Sequence, residues 1–171
     1  MDEETAMLAG EARLYALLDE LGITHSTIEH PAAYTVGEAQ AVRGLVPGAH
    51  TKNLFLKDKK SALFLVTALE DTPIDLKRLH ETIGAKGRLS FGSAERLVEA
   101  LGVTPGSVTP LALINDTARV VTFILDERLA RHDLVNVHPL RNTATTTLAM
   151  RDFLVFLERT GHPPRVLELP G

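Results

Sequence analysis

Asn53-Leu54-Phe55-Leu56-Lys57-Asp58-Lys59-Lys60-Ser61-Ala62-Leu63-Phe64-Leu65-Val66-Thr67-Ala68 lies near the middle of the chain and decides how it must fold. Two apolar runs, Asn53 to Leu56 and Ala62 to Ala68, flank Lys57-Asp58-Lys59-Lys60. Strand-length apolar runs around a charged, solvated turn predict a hairpin. Upstream, Met7, Leu14, Leu17, Leu18 and Leu21 recur at three- and four-residue steps. That spacing predicts an amphipathic helix over residues 4–21, stopped by Gly22. Ile23 to Glu29 alternates like a strand. Thr35-Val36-Gly37-Glu38 fits a capping box and predicts a short helix from Val36 to Val42, ending at Gly44. Downstream, Asp75 opens a helix ending near Gly84, and Ser93 opens another ending near Gly102. Between them, Gly84-Ala85-Lys86-Gly87-Arg88-Leu89-Ser90-Phe91 reads as a glycine-rich basic loop entering a short strand. Val103 to Pro110 carries two prolines and a glycine, so it is predicted irregular. Leu111 to Ile114 and Arg119 to Leu125 read as strands around an Asn115-Asp116 turn. Leu134 to Val137 and Thr143 to Leu148 are further strands. Arg151 to Thr160 is a closing helix ended by Gly161 and Pro163-Pro164. Helices and hairpins alternate without a strict strand–helix–strand beat. The expected fold is therefore α+β: one domain over residues 1–171 with a mixed, mostly antiparallel sheet flanked by helices.

Composition narrows the function. Among 171 residues, Lys plus Arg number 18 and Asp plus Glu 22, a formal charge of −4, and there is no cysteine. This size can bury a full core without disulfides or structural metals. The missing cysteine removes thiolate nucleophiles, Cys-ligated zinc and iron–sulfur clusters. Mild acidity argues against a sequence-independent duplex binder, and no helix-turn-helix with a basic recognition helix is present, so no DNA partner is expected. An enzyme touching one end of a nucleic acid stays open. Met1-Asp2-Glu3-Glu4 is acidic where a secretory signal is basic. No apolar run approaches the ~20 residues of a membrane helix. A soluble, cytoplasmic protein with no membrane partner is expected.

Familiar catalytic motifs are absent: no G-x-S-x-G elbow, no Walker A loop and no H-E-x-x-H. The seven histidines are scattered without a metal-ligand pair, so no metal or cofactor is expected. Lys52 stands at the mouth of the Asn53–Leu56 strand, where it can hold an anion or ester oxygen, or simply be a solvated strand end. Gly106-Ser107-Val108-Thr109-Pro110 can bring backbone N–H groups close to a carbonyl or phosphate, or serve as an ordinary connection. Pro139 pushes His138 toward extended geometry, where it can donate to a substrate, position water or play a structural part. Lys86 and Arg88 can contact phosphate or form a solvated face.

Taken together these pieces resemble one family. The chain is similar to the YbaK/prolyl-tRNA-synthetase-associated editing domain in its freestanding form. The resemblance runs through His50-Thr51-Lys52-Asn53-Leu54-Phe55-Leu56, Lys86-Gly87-Arg88-Leu89-Ser90-Phe91 and Leu101-Gly102-Val103-Thr104-Pro105-Gly106-Ser107-Val108-Thr109-Pro110. It continues through Leu113-Ile114-Asn115-Asp116, His138-Pro139-Leu140 and Asn142-Thr143-Ala144-Thr145-Thr146. It implies a curved, partly barrel-like sheet and hydrolysis in trans of mischarged aminoacyl-tRNA. The Lys-Asn pairing and the Gly-Ser-Val-Thr-Pro loop are more similar to the branch that clears alanine from proline tRNA. By resemblance, Lys52 is the active-site lysine, Gly106 to Pro110 is the substrate loop, and Asn53, Arg88 and His138 fall at pocket positions. The implied partners are the acceptor end of tRNA(Pro) and prolyl-tRNA synthetase.

This chemistry suits the inventory. An aminoacyl ester is already activated, so no covalent intermediate is needed. A synthetase pocket made for proline cannot reject the smaller alanine well, and a second pocket that excludes proline solves this. The expected mechanism has the loop N–H groups polarising the carbonyl and Lys52 holding the terminal adenosine. Water attacks, its proton taken by the neighbouring ribose hydroxyl or by His138. The competing expectations are a non-catalytic tRNA- or synthetase-binding module, a deacylase for Cys-tRNA(Pro) or Ser-tRNA, and a hydrolase of small amino-acid esters.

Overall fold

The computed structural model describes residues 3–32, 44 and 46–171, with side chains from residue 9 onward. The expected capping box and helix at 35–42 lie outside these residues. In chain order the elements are α1 (Glu3–Glu20), β1 (His25–Glu29), β2 (Ala49–Lys57), β3 (Leu63–Leu69), α2 (Leu76–Ile83), β4 (Ser90–Phe91) and α3 (Ala94–Leu101). Two 3-10 turns follow, Pro105–Ser107 and Pro110–Asn115. Then come β5 (Val121–Asp126), α4 (Glu127–Ala130), β6 (Leu134–Val137), β7 (Ala144–Ala149), α5 (Met150–Thr160) and β8 (Arg165–Leu167).

The hairpin forms as expected, with β2 and β3 antiparallel from Thr51↔Leu69 to Lys57↔Leu63. The strands join one eight-stranded sheet in the order β1-β7-β6-β2-β3-β5-β8, with β4 added to β2. The β1/β7, β6/β7, β2/β3 and β2/β4 pairs are antiparallel. The β2/β6, β3/β5 and β5/β8 pairs are parallel. The fold is α+β with a mixed, mostly antiparallel sheet, and the sheet is not a closed barrel.

Two cores explain why Leu63 to Ala68 shows no polar alternation. Leu63, Leu65, Phe123 and Leu125 face a large cluster with Leu14 and Leu18 of α1, Leu101 of α3 and Phe153, Phe156 and Leu157 of α5. Phe64, Val66, Ala68 and Ile124 face a second cluster with Leu79 and Ile83 of α2. A strand buried on both faces reads as a continuous apolar run. The helix ends follow the sequence: Asp75 and Ser93 cap α2 and α3 by accepting from Lys77 and Arg96 N–H. Gly84, Gly102 and Gly161 close α2, α3 and α5 in the left-handed conformation.

Leu111–Ile114 is not a strand. Pro110 opens a 3-10 turn there, with the Thr109 hydroxyl accepting from Leu111 N–H. A four-residue apolar run is equally a buried helical turn, and a proline at its first position favours the turn. The stretch expected to be irregular also holds one 3-10 turn at Pro105–Ser107. Strand β8 and the short helix α4 were not legible beforehand.

Candidate active site

The site begins where the sheet divides. Strands β2 and β6 share only Ala49↔Val135 and His50↔Asn136, after which they part. The Thr51 hydroxyl closes the seam by donating to the Asn136 carbonyl at 2.9 Å. Past that point the next described neighbour on this edge of β2 is Gly92, whose N–H donates to the Phe55 carbonyl at 2.9 Å, followed by β4 against Leu56 and Lys57. Among the described residues nothing pairs with the edge between. Because Phe55 directs its carbonyl to this edge, strand alternation directs the backbone N–H and C=O of Asn53 there too. Open backbone where parallel strands part is where sheets commonly receive ligands.

Lys52 and His138 follow the last paired residues of β2 and β6 by two positions each. Extending the β2/β6 register by two residues sets them level. Ala49 and Phe55 on β2, and Val135 and Val137 on β6, all face the large core. Alternation therefore puts Lys52 and His138 together on the opposite face. The Lys52 ammonium donates to the Thr72 carbonyl. The Thr72 hydroxyl donates to Asp126 Oδ2 at 2.6 Å, and Leu69 N–H donates to the same oxygen at 3.0 Å. Asp126 is 1% exposed and also accepts from Arg128 N–H. A buried carboxylate at the end of β5 thus fixes the loop that holds the lysine. Sequence reading missed Thr72 and Asp126. The only local signal at Asp126 is that of a helix cap, and 54 residues separate it from Thr72.

The His138 ring nitrogen Nδ1 lies 3.0 Å from the Ala144 carbonyl. A carbonyl only accepts, so Nδ1 carries the proton and Nε2 keeps its lone pair. Burial holds the imidazole pKa below its ordinary value, outweighing the Ala144 hydrogen bond, and nearby His30 adds to the depression. The imidazole is therefore neutral at pH 7.

The Gly106–Pro110 loop is tied to the same place. The Thr109 hydroxyl donates to the His138 carbonyl at 2.7 Å. Gly106 lies against Asn142, whose Nδ2 stands 3.2 Å from where a Cβ would sit. Gly106 is exposed, Val108 half-buried, and Ser107, Thr109 and Pro110 buried. Ser107 N–H donates to the Thr104 carbonyl at 2.9 Å and Pro110 has no N–H. Donation to a ligand falls to the loop's other amides. Asn53 projects its side chain to the large-core face, where Oδ1 accepts from the Thr67 hydroxyl at 2.6 Å. Arg88 is not beside Lys52. It is exposed and precedes β4, whose Ser90 pairs with Lys57, about 16 Å along β2 from Lys52.

The segment His138–Thr143 is braced from outside. Arg141 donates to Glu11 Oε2 at 2.8 Å and Glu29 Oε1 at 3.1 Å, and Tyr15 donates to Glu11 Oε1 at 2.6 Å. Between them Leu140 is buried with a positive φ of 72°. Among the described residues no helix is long and apolar enough to cross a membrane.

Comparison with known proteins shows the family. Residues 30–156 match the family model described as the aminoacyl-tRNA editing domain. The chain is 42% identical over 156 residues to prolyl-tRNA synthetase associated domain-containing protein 1 of Danio rerio, covering 90% of this chain and 84% of that one. It is 37% identical over 155 residues to the prolyl-tRNA editing protein ProX of Acetoanaerobium sticklandii, covering 90% and 94%. A crystal structure named provisionally as a trans-editing enzyme for prolyl-tRNA synthetase shares the fold at a TM-score of 0.66 and 22% identity, covering 94% and 98%. The match spans well over half of the sequence and includes Lys52, the Gly106–Pro110 loop and His138, and this chain belongs to the aminoacyl-tRNA editing domain family.

Proposed function

We propose that the protein is a trans-editing deacylase that hydrolyses the alanyl ester of mischarged tRNA(Pro), acting over the whole 171-residue chain as one unit. What supports this reading is the β2/β6 register, which carries Lys52 and His138 to the same face where the two strands part beside an open strand edge. The relatives named for prolyl-tRNA editing and for association with the synthetase support the substrate class.

In this reading the 3′ end of the tRNA enters the divide. Lys52 leaves the Thr72 carbonyl, or shares it, to hold a phosphate or ribose oxygen of the terminal adenosine. The backbone of Asn53 and the amides of the Gly106–Pro110 loop hold the aminoacyl group and polarise its carbonyl. Gly106 matters because a side chain there would crowd Asn142 and narrow the approach. Water attacks the carbonyl carbon and the ester C–O bond breaks. The ribose oxygen leaves with a proton, and alanine and free tRNA are released. The proton that the ribose oxygen takes comes from the water through the neighbouring ribose hydroxyl. The water's other proton leaves with the carboxyl of the freed alanine and is lost to solvent, and neutral His138 offers Nε2 as an acceptor that orients the water. The tRNA acceptor end and prolyl-tRNA synthetase are the partners, and the cytoplasm is the place of action.

The test is single-turnover deacylation of alanyl-tRNA(Pro) and prolyl-tRNA(Pro) by wild type and Lys52→Ala. Loss of alanine only, slowed at least a hundredfold by the substitution, is expected. Full activity in Lys52→Ala removes the lysine from the mechanism. No hydrolysis of either ester by wild type leaves a binding module of the same fold.

A further inference from the structure

We propose that the tip of the β2–β3 hairpin, joined to Phe91, is an RNA-docking surface that receives the single-stranded segment between the acceptor stem and the 3′ terminus that enters the divide, an inference that rests on the editing reading. The tip is built from two segments distant in sequence. Asp58 is 4% exposed and accepts from the N–H groups of Lys60, Ala62 and Lys86, each at 2.9 Å. Lys59 N–H donates to the Lys86 carbonyl at 3.1 Å. The glycine-rich loop is thereby fastened to the hairpin turn. The one carboxylate of the turn points inward, and these bonds, Lys86's foremost, hold its pKa below the usual carboxylate range.

The outward face is cationic. Lys57, Lys59, Lys60, Lys86 and Arg88 make no ion pair among the described residues. Four of the chain's six lysines gather here although the chain carries a formal charge of −4. Gly87, with φ of 87°, lets the Lys59 stem lie across the loop, since a Cβ there would stand 2.6 Å from Lys59 Cδ. Beside these cations Phe91 is 59% exposed, on the short strand that borders the open edge of β2. Cations that track phosphates, with an aromatic ring on which a base can stack, are the two parts of a single-stranded nucleic-acid platform. The reach also fits: Phe91 pairs with Leu56, which shares the Lys52 face of β2 about 13 Å from Lys52, and about four stacked nucleotides span that length at ~3.4 Å each.

The experiment measures binding of an uncharged acceptor-stem RNA with its single-stranded 3′ end, by fluorescence anisotropy across about 50–200 mM salt. The full chain is compared with Lys59→Gln/Lys60→Gln and with Phe91→Ala. All three side chains are exposed, so the fold is retained. The double substitution is expected to lower the slope of log K against log salt by about 1.5. Phe91→Ala is expected to weaken binding about tenfold with the slope unchanged. Binding by both variants equal to wild type overturns the proposal. Deacylation by wild type together with unchanged variant binding removes this surface alone. Binding that depends on these residues, with no deacylation by wild type, keeps the surface and removes the editing reading.

Discussion

His138 is held neutral by burial, and this has a consequence for pH. Its folded-state pKa lies below the ordinary value of 6.5. Above that value the imidazole is neutral whether the chain is folded or not, and it adds no pH dependence. As pH falls from about 6.5 toward the folded-state value, the unfolded chain takes up the proton first, and the folded state loses stability. Urea midpoints at several pH values are expected to fall more steeply on the acid side for wild type than for His138→Gln. Parallel curves would mean that the ring is solvated. Lys52 raises a second question at this scale, because its ammonium depends on a carbonyl placed by Asp126. Asp126→Asn turns an N–H₂ toward donors on at least one side. The expected cost is about 1–3 kcal/mol for a buried donor left without its acceptor. A rise in KM for alanyl-tRNA is expected at temperatures where the variant is fully folded. An unchanged KM would make Asp126 purely structural. Leu140 sets two effects against each other. Its left-handed backbone costs about 1–2 kcal/mol, whereas burying a leucine side chain contributes about 2–5 kcal/mol. Packing wins, so Leu140→Gly is expected to destabilise by about 1–3 kcal/mol despite relieving the backbone, as denaturant titration would show.

Among the elements, the border of the site at β4 depends on a glycine for reasons of space. A Cβ at Gly92 would lie 2.4 Å from the Phe55 ring, which is 4% exposed in the large core. Gly92→Ala must displace the ring or lift β4 from β2, an overpacking cost of about 1–3 kcal/mol. Gly106→Ala is the instructive contrast, because only the movable end of Asn142 stands in its way. It is expected to leave the melting midpoint nearly unchanged while lowering kcat/KM for alanyl-tRNA(Pro). These two glycines also show what could be read from sequence. Gly106 stood out through its motif, and Gly84 and Gly102 through their places after apolar helices. Gly92 carries no local sign, since its constraint is a ring 37 positions away. The β2–β3 hairpin was legible because its signal is local: two apolar runs and a charged turn. The 3-10 turn at Pro110–Asn115 was not, because an apolar run of that length fits either a strand or a buried turn. Lys52 and His138 were legible as separate candidates, but their shared level on one face follows from a parallel pairing that no spacing announces. Arg88 shows the other side of this. It lies in a recognisable motif, yet that motif docks at the far end of β2.

At the scale of the molecule, the sheet is two half-sheets riveted at one seam. Strands β1, β7 and β6 carry His138, and β2, β3, β5, β8 and β4 carry Lys52 and Asn53. The ladder between the halves is two residue pairs long. Asn136, 2% exposed, reinforces it: Nδ2 donates to the Pro47 carbonyl at 2.8 Å and the Ala49 carbonyl at 3.2 Å, and Oδ1 accepts from the Thr147 hydroxyl. Any site shared by the halves inherits its geometry from this seam. Asn136→Ala strips partners from two carbonyls and a hydroxyl, and at about 1–3 kcal/mol for a buried group left unpaired the expected loss is about 2–4 kcal/mol. Because the backbone ladder joining the halves is only two residue pairs long while the large core spans both, the loss is expected to concentrate at the seam. Hydrogen exchange should quicken at the β2/β6 ladder more than at the β3/β5 ladder. Deacylation should fall further than the loss of folded protein explains, since Lys52 and His138 stand on opposite sides of the rivet. Uniform loss of protection across both ladders would mean that the sheet opens as one unit, and the seam would then have no separate hold on the site.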